Sequence, residues 1–279
     1  MFRRNRGQTP AATRPTDWRS YDSVAETYDR VRSPVHEAPA RDLVAAVAPP
    51  PGGRVLDVGT GPGVAAAAAA EAIGPGGVVV GIDPSAEMLR LARARGVRRI
   101  AAAQAIDLPF PDRVFDAVVA SFVIFFVTRY DTALFDMVRV LKHGGRLGVT
   151  TWAGHSDEFT RAWREVAESF ATKELLDDAA RKAAPWDERL SDPDRLQEAL
   201  REAGLRNVEV SRREYRTTLS LADYLAGRET SAVGRFLRDM LGEALWTRFQ
   251  ARVEETFRSR FDDPIGDTND VLIAIGTRP

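Results

Sequence analysis

Apolar residues fall along this chain in two textures. Over residues 54–152, nearly unbroken apolar runs at 54–58, 78–82, 100–103, 115–122 and 146–152 alternate with stretches whose apolar positions recur at helical spacing. A short β-rich run bounded by turn signals reads as a strand, and one without polar alternation reads as a strand covered on both faces. The alternation predicts an α/β chain with a parallel sheet between helical layers. Turn chemistry agrees: Pro49-Pro50-Pro51-Gly52-Gly53 precedes the first run and Pro75-Gly76-Gly77 the second. Ser85 predicts the N-cap of a helix over 86–95 that Gly96 stops, and a helix from about 131 is expected to end at His143-Gly144-Gly145.

After residue 152 the pattern turns amphipathic. It predicts helices over 158–172 and 193–203, the second opened by Asp192-Pro193 and closed by Gly204. Two more β-like runs, 208–218 and 271–277, flank a stretch over 219–261 in which Phe236, Leu237, Met240, Leu241, Leu245, Trp246 and Phe249 keep helical spacing. Residues 1–50 read as mostly helical. Three parts are expected: an arm over 1–19, a core over 20–152 with covering N-terminal helices, and a part over 153–279. That last part supplies the final two strands and a helical cap from 153–190 and 219–261.

Composition narrows the chemistry more than the fold. The 279 residues contain no cysteine, which excludes disulfides, thiolate metal sites and cysteine nucleophiles. Only three histidines occur, His36, His143 and His155, without the spacing that places two ligands on one helix face, so no metal site is expected. A net charge of −1 marks neither a nucleic-acid binder nor a membrane-surface binder. The exception is the arm, where Arg3, Arg4, Arg6, Arg14 and Arg19 face Asp17 alone; its ordinary reading is a flexible, solvated tail. The longest apolar run, 117–127, is interrupted by Ser121 and is about half the roughly 20 residues a membrane helix needs. With no secretory signal visible, a cytoplasmic protein is expected, and the oligomeric state, monomer or homodimer, is left open.

The sharpest signal is Asp57-Val58-Gly59-Thr60-Gly61-Pro62-Gly63, which closes the first strand and opens a helix. Glycines here admit positive φ and let a ligand approach backbone amides. Asp83 closes the next strand, 20 positions past Gly63, where doubly wound folds place the acceptor for ribose hydroxyls of an adenosine cofactor. A dinucleotide fingerprint would require glycine at 64, where this chain has Val64. An NAD(P)-linked oxidoreductase is thereby disfavoured, and a non-catalytic cofactor-binding module stays open as a third reading.

In these residues the chain resembles the class I S-adenosylmethionine-dependent methyltransferases, on the small-molecule branch similar to the ubiquinone/menaquinone-biosynthesis methyltransferases. The resemblance rests on 55–63, on Val80-Gly81-Ile82-Asp83-Pro84-Ser85-Ala86-Glu87-Met88-Leu89, on 108–121, on 138–147, and on an N-terminal block, Tyr21-Asp22-Ser23-Val24-Ala25-Glu26-Thr27-Tyr28-Asp29. It covers about residues 20–152. It implies a Rossmann-like, doubly wound sheet of seven strands, mostly parallel with an antiparallel last strand, plus a helical cap.

The resemblance also implies roles. Gly59, Thr60 and Gly61 would line the methionyl part of the cofactor, with Asp57 near its ammonium. Asp83 would take both ribose hydroxyls, Pro84 or Met88 would pack on adenine, Ser121 would approach the methionyl end, and Tyr28 would close the site. One departure stands in Gln104-Ala105-Ile106-Asp107, where the family usually has an acid that contacts the adenine amino group; Gln104 can accept only through a neutral amide.

Methyl transfer needs alignment and exclusion of water more than a catalytic group. For a phenol or alcohol acceptor a base helps, and His155, just past the fifth strand, and His36, in the N-terminal cover, are the candidates. Trp152, Phe159, Trp163, Tyr215, Tyr224, Phe236 and Trp246 could wall an apolar acceptor pocket; most are expected to be core, with Trp152 the exception. The acceptor expected is a small apolar or aromatic metabolite such as a quinone or polyketide, methylated on oxygen or carbon. The missing cysteines argue against relatives that methylate arsenic through thiolates.

Overall fold

The computed structural model of the chain describes residues 20–154 and 157–279. Seven strands form one sheet: β1 (Arg54–Val58), β2 (Val78–Asp83), β3 (Arg99–Ala102), β4 (Phe115–Ser121), β5 (Leu141–Trp152), β6 (Arg206–Leu219) and β7 (Ile265–Thr277). Their order is β3-β2-β1-β4-β5-β7-β6. Strands β1 to β5 pair in parallel, and β7 runs antiparallel to both of its neighbours, β5 and β6. Strand β1 lies between β2 and β4, so the chain order reverses beside it and a crevice opens past the ends of β1 and β4.

Four helices flank the parallel half: α1 (Ala25–Val47), α2 (Val64–Ile73), α3 (Ala86–Ala94) and α4 (Tyr130–Val140). Valines and leucines of β1, β4 and β5 are wholly buried between them, as the unbroken apolar runs require. Ser85 caps α3 through the Met88 amide, and Asp192 caps α8 (Pro193–Glu202) through the Asp194 and Arg195 amides.

The remaining helices build the cover: α5 (Glu158–Glu168), α6 (Lys173–Ala183), α7 (Asp187–Leu190), α9 (Leu221–Glu229) and α10 (Ala232–Arg260). Trp163, Leu176, Tyr224, Leu237, Trp246, Phe249 and Phe257 close a second apolar core between them, apart from the one around the sheet. Among the described residues, no helix is long and apolar enough to cross a membrane.

Three boundaries differ from the sequence reading. The helix expected over 158–172 ends at Glu168, and α6 starts afresh at Lys173, where Thr172 caps it through the Leu175 amide. Gly144 and Gly145 do not end a helix; α4 stops at Val140, and the glycines sit where the β4–β5 register shifts. Strand β7 begins at Ile265, not 271. Its first residues, Gly266-Asp267-Thr268-Asn269-Asp270, carry no β pattern of their own and are drawn into the sheet by pairing with 214–218 of β6.

Candidate active site

The crevice past β1 and β4 holds a cavity of about 440 Å³. Ten of the twelve residues expected at a cofactor meet on its wall: Tyr28, Gly59, Gly61, Asp83, Pro84, Met88, Gln104, Ala105, Ile106 and Ser121. The glycine loop is tied down from below. Thr60 donates its hydroxyl to Asp57 Oδ2 at 2.7 Å and its amide to the Ile82 carbonyl at 2.8 Å, while the Gly61 amide donates to Asp83 Oδ2 at 2.9 Å.

Two of the expected residues stand behind the loop, not on the cavity wall. Asp57 is fully buried and does not line the cavity, and the amide and hydroxyl of Thr60 are already committed. Both residues brace the loop from behind. Burial pushes the Asp57 carboxyl up to about 7, against the Thr60 hydrogen bond that favours its charged form.

Asp83 is also raised by burial, and the amides of Ser85, at 2.8 Å, and Gly61 work against that rise. Ser85 donates its hydroxyl to Asp22 Oδ1 at 2.5 Å, which docks the turn Asp22–Val24, and Tyr21 beside it, on the start of α3. Tyr28 stands edge-on to Tyr21 with centroids 5.5 Å apart; burial holds its hydroxyl well above the ordinary phenol range. The loop bearing Gln104, Ala105 and Ile106 is held by Arg139, whose guanidinium donates to the carbonyls of Leu108 and Phe110 and pairs with Asp112 at 2.8 Å. Lys182, Ala183 and Arg235 of the cover complete the wall, and nothing in their sequence context signalled it.

A second cavity, about 560 Å³, adjoins the first and shares Tyr21, Tyr28, Phe122 and Phe126 with it. Phe122 follows β4 directly with φ of 56°, a conformation a bulky side chain seldom takes. Its amide donates to Thr150 Oγ1 at 3.0 Å, and its ring stacks on Trp152 at 4.2 Å and on His36 at 4.8 Å. The result is a cluster of stacked rings that lines the second cavity and reaches the first through Phe122. No sequence signal separated Phe122 from the core phenylalanines.

His36 lies in that cluster, with Nδ1 3.4 Å from the Tyr28 hydroxyl oxygen. Burial, and then the nearby Arg32 charge, push its pKa down to about 3, so the imidazole is neutral at ordinary pH. His155, the other candidate base, and the arm over 1–19 lie outside the described residues. Of the aromatic candidates, Trp152 and Tyr224 line the second cavity. Trp163 and Trp246 are core of the cover, Phe159 and Phe236 pack against it, and Tyr215 donates to Asp42 of α1 at 2.6 Å. His143 is bonded to the C-terminal Pro279, away from both cavities. Among the described residues, no group of carboxylates and imidazoles could hold a metal ion.

The first cavity fits an adenosyl group on its own evidence. At Gly61, φ is 52° and no atom lies within 4 Å of where a Cβ would stand, which leaves open space above the loop beside the Asp83 carboxylate. Carboxylate, amide side chain and apolar Pro84, Met88 and Ile106 together present what a ribose and an adenine require.

The chain is similar to known methyltransferases. A family model described as a methyltransferase domain matches residues 56–149. The ubiquinone/menaquinone biosynthesis C-methyltransferase UbiE of Burkholderia mallei is 33% identical over a 175-residue match that covers 60% of this chain and 67% of that protein. A solved structure of an S-adenosylmethionine-dependent methyltransferase from Thermotoga maritima, described as a possible histamine N-methyltransferase, superposes with a TM-score of 0.54 at 20% identity, over 94% of this chain and 98% of that one. A phosphoethanolamine N-methyltransferase of Haemonchus contortus, crystallised with S-adenosylhomocysteine, gives 0.58 at 17% identity, over 97% of this chain and 61% of the other.

Proposed function

Because this chain belongs to the class I S-adenosylmethionine-dependent methyltransferases, we propose that it methylates a small planar acceptor, aromatic or quinone-like, seated in the second cavity against Phe122. S-adenosylmethionine is its cofactor, and when bound it supplies a methyl group on a positively charged sulfur. The chain's own residues then have three tasks. Asp83 accepts from the ribose hydroxyls and Gln104 from the adenine amine, which fixes the cofactor's orientation. Ser121 and Phe122 bring the end of β4 to the junction, so the acceptor meets the methyl group there. Tyr21, Tyr28 and Phe126 cover that junction and exclude water.

One observation carries this reading: the two cavities share a wall of four aromatic residues, so cofactor and acceptor can meet without crossing solvent. The apolar Phe122–Trp152–His36 ring cluster suits an aromatic acceptor, and the relative's name speaks for carbon methylation in quinone biosynthesis. His36 serves as a neutral part of that cluster. A group whose conjugate acid is held near 3 is a poor resting place for a substrate proton, so the acceptor is expected to enter as its own nucleophile.

The test is methyl transfer from isotopically labelled S-adenosylmethionine to a panel of phenols, naphthols and quinols, each with wild type and Phe122→Ala. Transfer to planar acceptors that falls in Phe122→Ala, with cofactor affinity unchanged, supports the reading. Absence of transfer to every planar acceptor, or transfer indifferent to Phe122, overturns it.

A further inference from the structure

The second cavity has a polar wall, set apart from the residues it shares with the cofactor cavity, that a plain ring would not use. Arg32 of α1, Arg228 of α9 and Asp267 of β7 line it. Arg32 donates to the Gly227 carbonyl at 3.0 Å; Arg228 reaches Thr160 Oγ1 at 3.4 Å and lies over the Trp163 ring at 5.1 Å. Neither arginine forms an ion pair among the described residues.

Asp267 is 6% exposed. Its Oδ2 accepts from Asn269 at 2.9 Å, and its Oδ1 has no partner. Arg228 Nε also has none, nor does the hydroxyl of Thr217, which pairs directly across from Asp267 in the β6–β7 register. Buried polar atoms nearly always find partners, so Asp267 Oδ1 and Arg228 Nε, both on the wall of this cavity, mark the place of a polar group from outside the chain.

The sign of that group follows from the charges. Both guanidiniums line this cavity, and after burial the Arg228 charge is the strongest influence on Arg32, ahead of Asp267. Four further carboxylates, of Asp157, Asp187, Glu188 and Asp270, line the same cavity. Asp157 caps α5, Asp270 pairs with Arg212 at 2.5 Å, and Asp187, which burial pushes toward its protonated form, sits on α7 with Glu188. A planar carboxylate is the group that two neighbouring guanidiniums bind best.

We infer that the acceptor is a planar aromatic acid, its carboxylate held by Arg32 and Arg228 and a neighbouring hydroxyl or amino group donating to Asp267 Oδ1. The inference rests on the reading that this cavity seats the acceptor. It assigns the aromatic wall to the ring and the arginine wall to the acid.

The test is calorimetric binding, in the presence of S-adenosylhomocysteine, of two matched pairs: 2-hydroxybenzoate and its carboxamide, and 1-hydroxy-2-naphthoate and its carboxamide. An acid is expected to bind about tenfold or more tightly than its amide. Arg228→Gln and Arg32→Gln should each erase that preference, while Arg228→Lys, which keeps the charge, should retain part of it. If Arg228→Gln melts early, Arg32→Gln and the wild-type comparison carry the result. An amide that binds as tightly as its acid, or a preference that survives both glutamine variants, overturns the inference and leaves the acceptor reading standing. Failure of all four compounds to bind, with S-adenosylhomocysteine bound normally, overturns both.

Discussion

Asp83 links the end of β2 to the glycine loop in a single side chain. It accepts from the Gly61 and Ser85 amides with its two oxygens, and its remaining lone pairs are available on the cavity wall. Asp83→Ala should weaken S-adenosylmethionine binding at least about tenfold, measured by calorimetry, because the lost group takes both ribose contacts and a loop anchor with it. Gly61 separates binding from folding. A Cβ there meets nothing in the free protein, so Gly61→Ala should cost stability only the about 1–2 kcal/mol of a left-handed backbone, while it intrudes on the ligand's space and lowers cofactor affinity disproportionately. For His36 the expectation runs against a base. His36→Asn should retain methyl transfer within about tenfold, where removal of a true general base typically costs about 10²–10⁴.

At the scale of elements, the site depends on how loops are pinned. Residues 104–112 form no regular structure, yet they supply three wall residues, because Arg139 of α4 gathers the loop's carbonyls and Asp136 accepts from the Leu108 amide. Arg139→Met should lower cofactor affinity several-fold and stability by about 1–3 kcal/mol, readable as a shift in melting temperature with and without cofactor. The strand run and helix cap beside this loop were legible in sequence, since both are local. The role of Arg139 was not, since an arginine late in an amphipathic helix reads as solvated until its loop is folded against it. The same holds for 266–270, polar residues that become strand only by pairing with β6.

The molecule as a whole balances two buried groups of opposite sign. His36 binds a proton in the unfolded chain at about 6.5 and in the folded one only near 3, so its contribution to stability is full above 6.5 and is lost as pH falls toward 3. Asp57 goes the other way. Its folded value near 7 lies above the ordinary 3.8, so its contribution is full below 3.8 and is lost as pH rises through 7. Between pH 6.5 and 4 the two slopes oppose each other. Melting temperatures across that window should therefore fall more steeply with acid in Asp57→Asn than in wild type, and less steeply in His36→Gln; parallel profiles for all three would show that neither group carries the linkage.

The sequence by itself determined the sheet, the glycine loop and the cofactor's chemistry. Each is written in neighbouring residues: apolar runs of strand length, glycines spaced through a tight turn, an acid at the end of the next strand. Tertiary structure alone decided what lines the second cavity. His36, Phe122, Trp152, Arg228 and Asp267 come from α1, the end of β4, β5, α9 and β7; the sequence marked only His36 and Trp152, and Phe122, Arg228 and Asp267 read in their own segments as ordinary core or surface residues. Their common property is a position on one wall, which is set by how the cover packs on the sheet. Local periodicity carries no information about that packing.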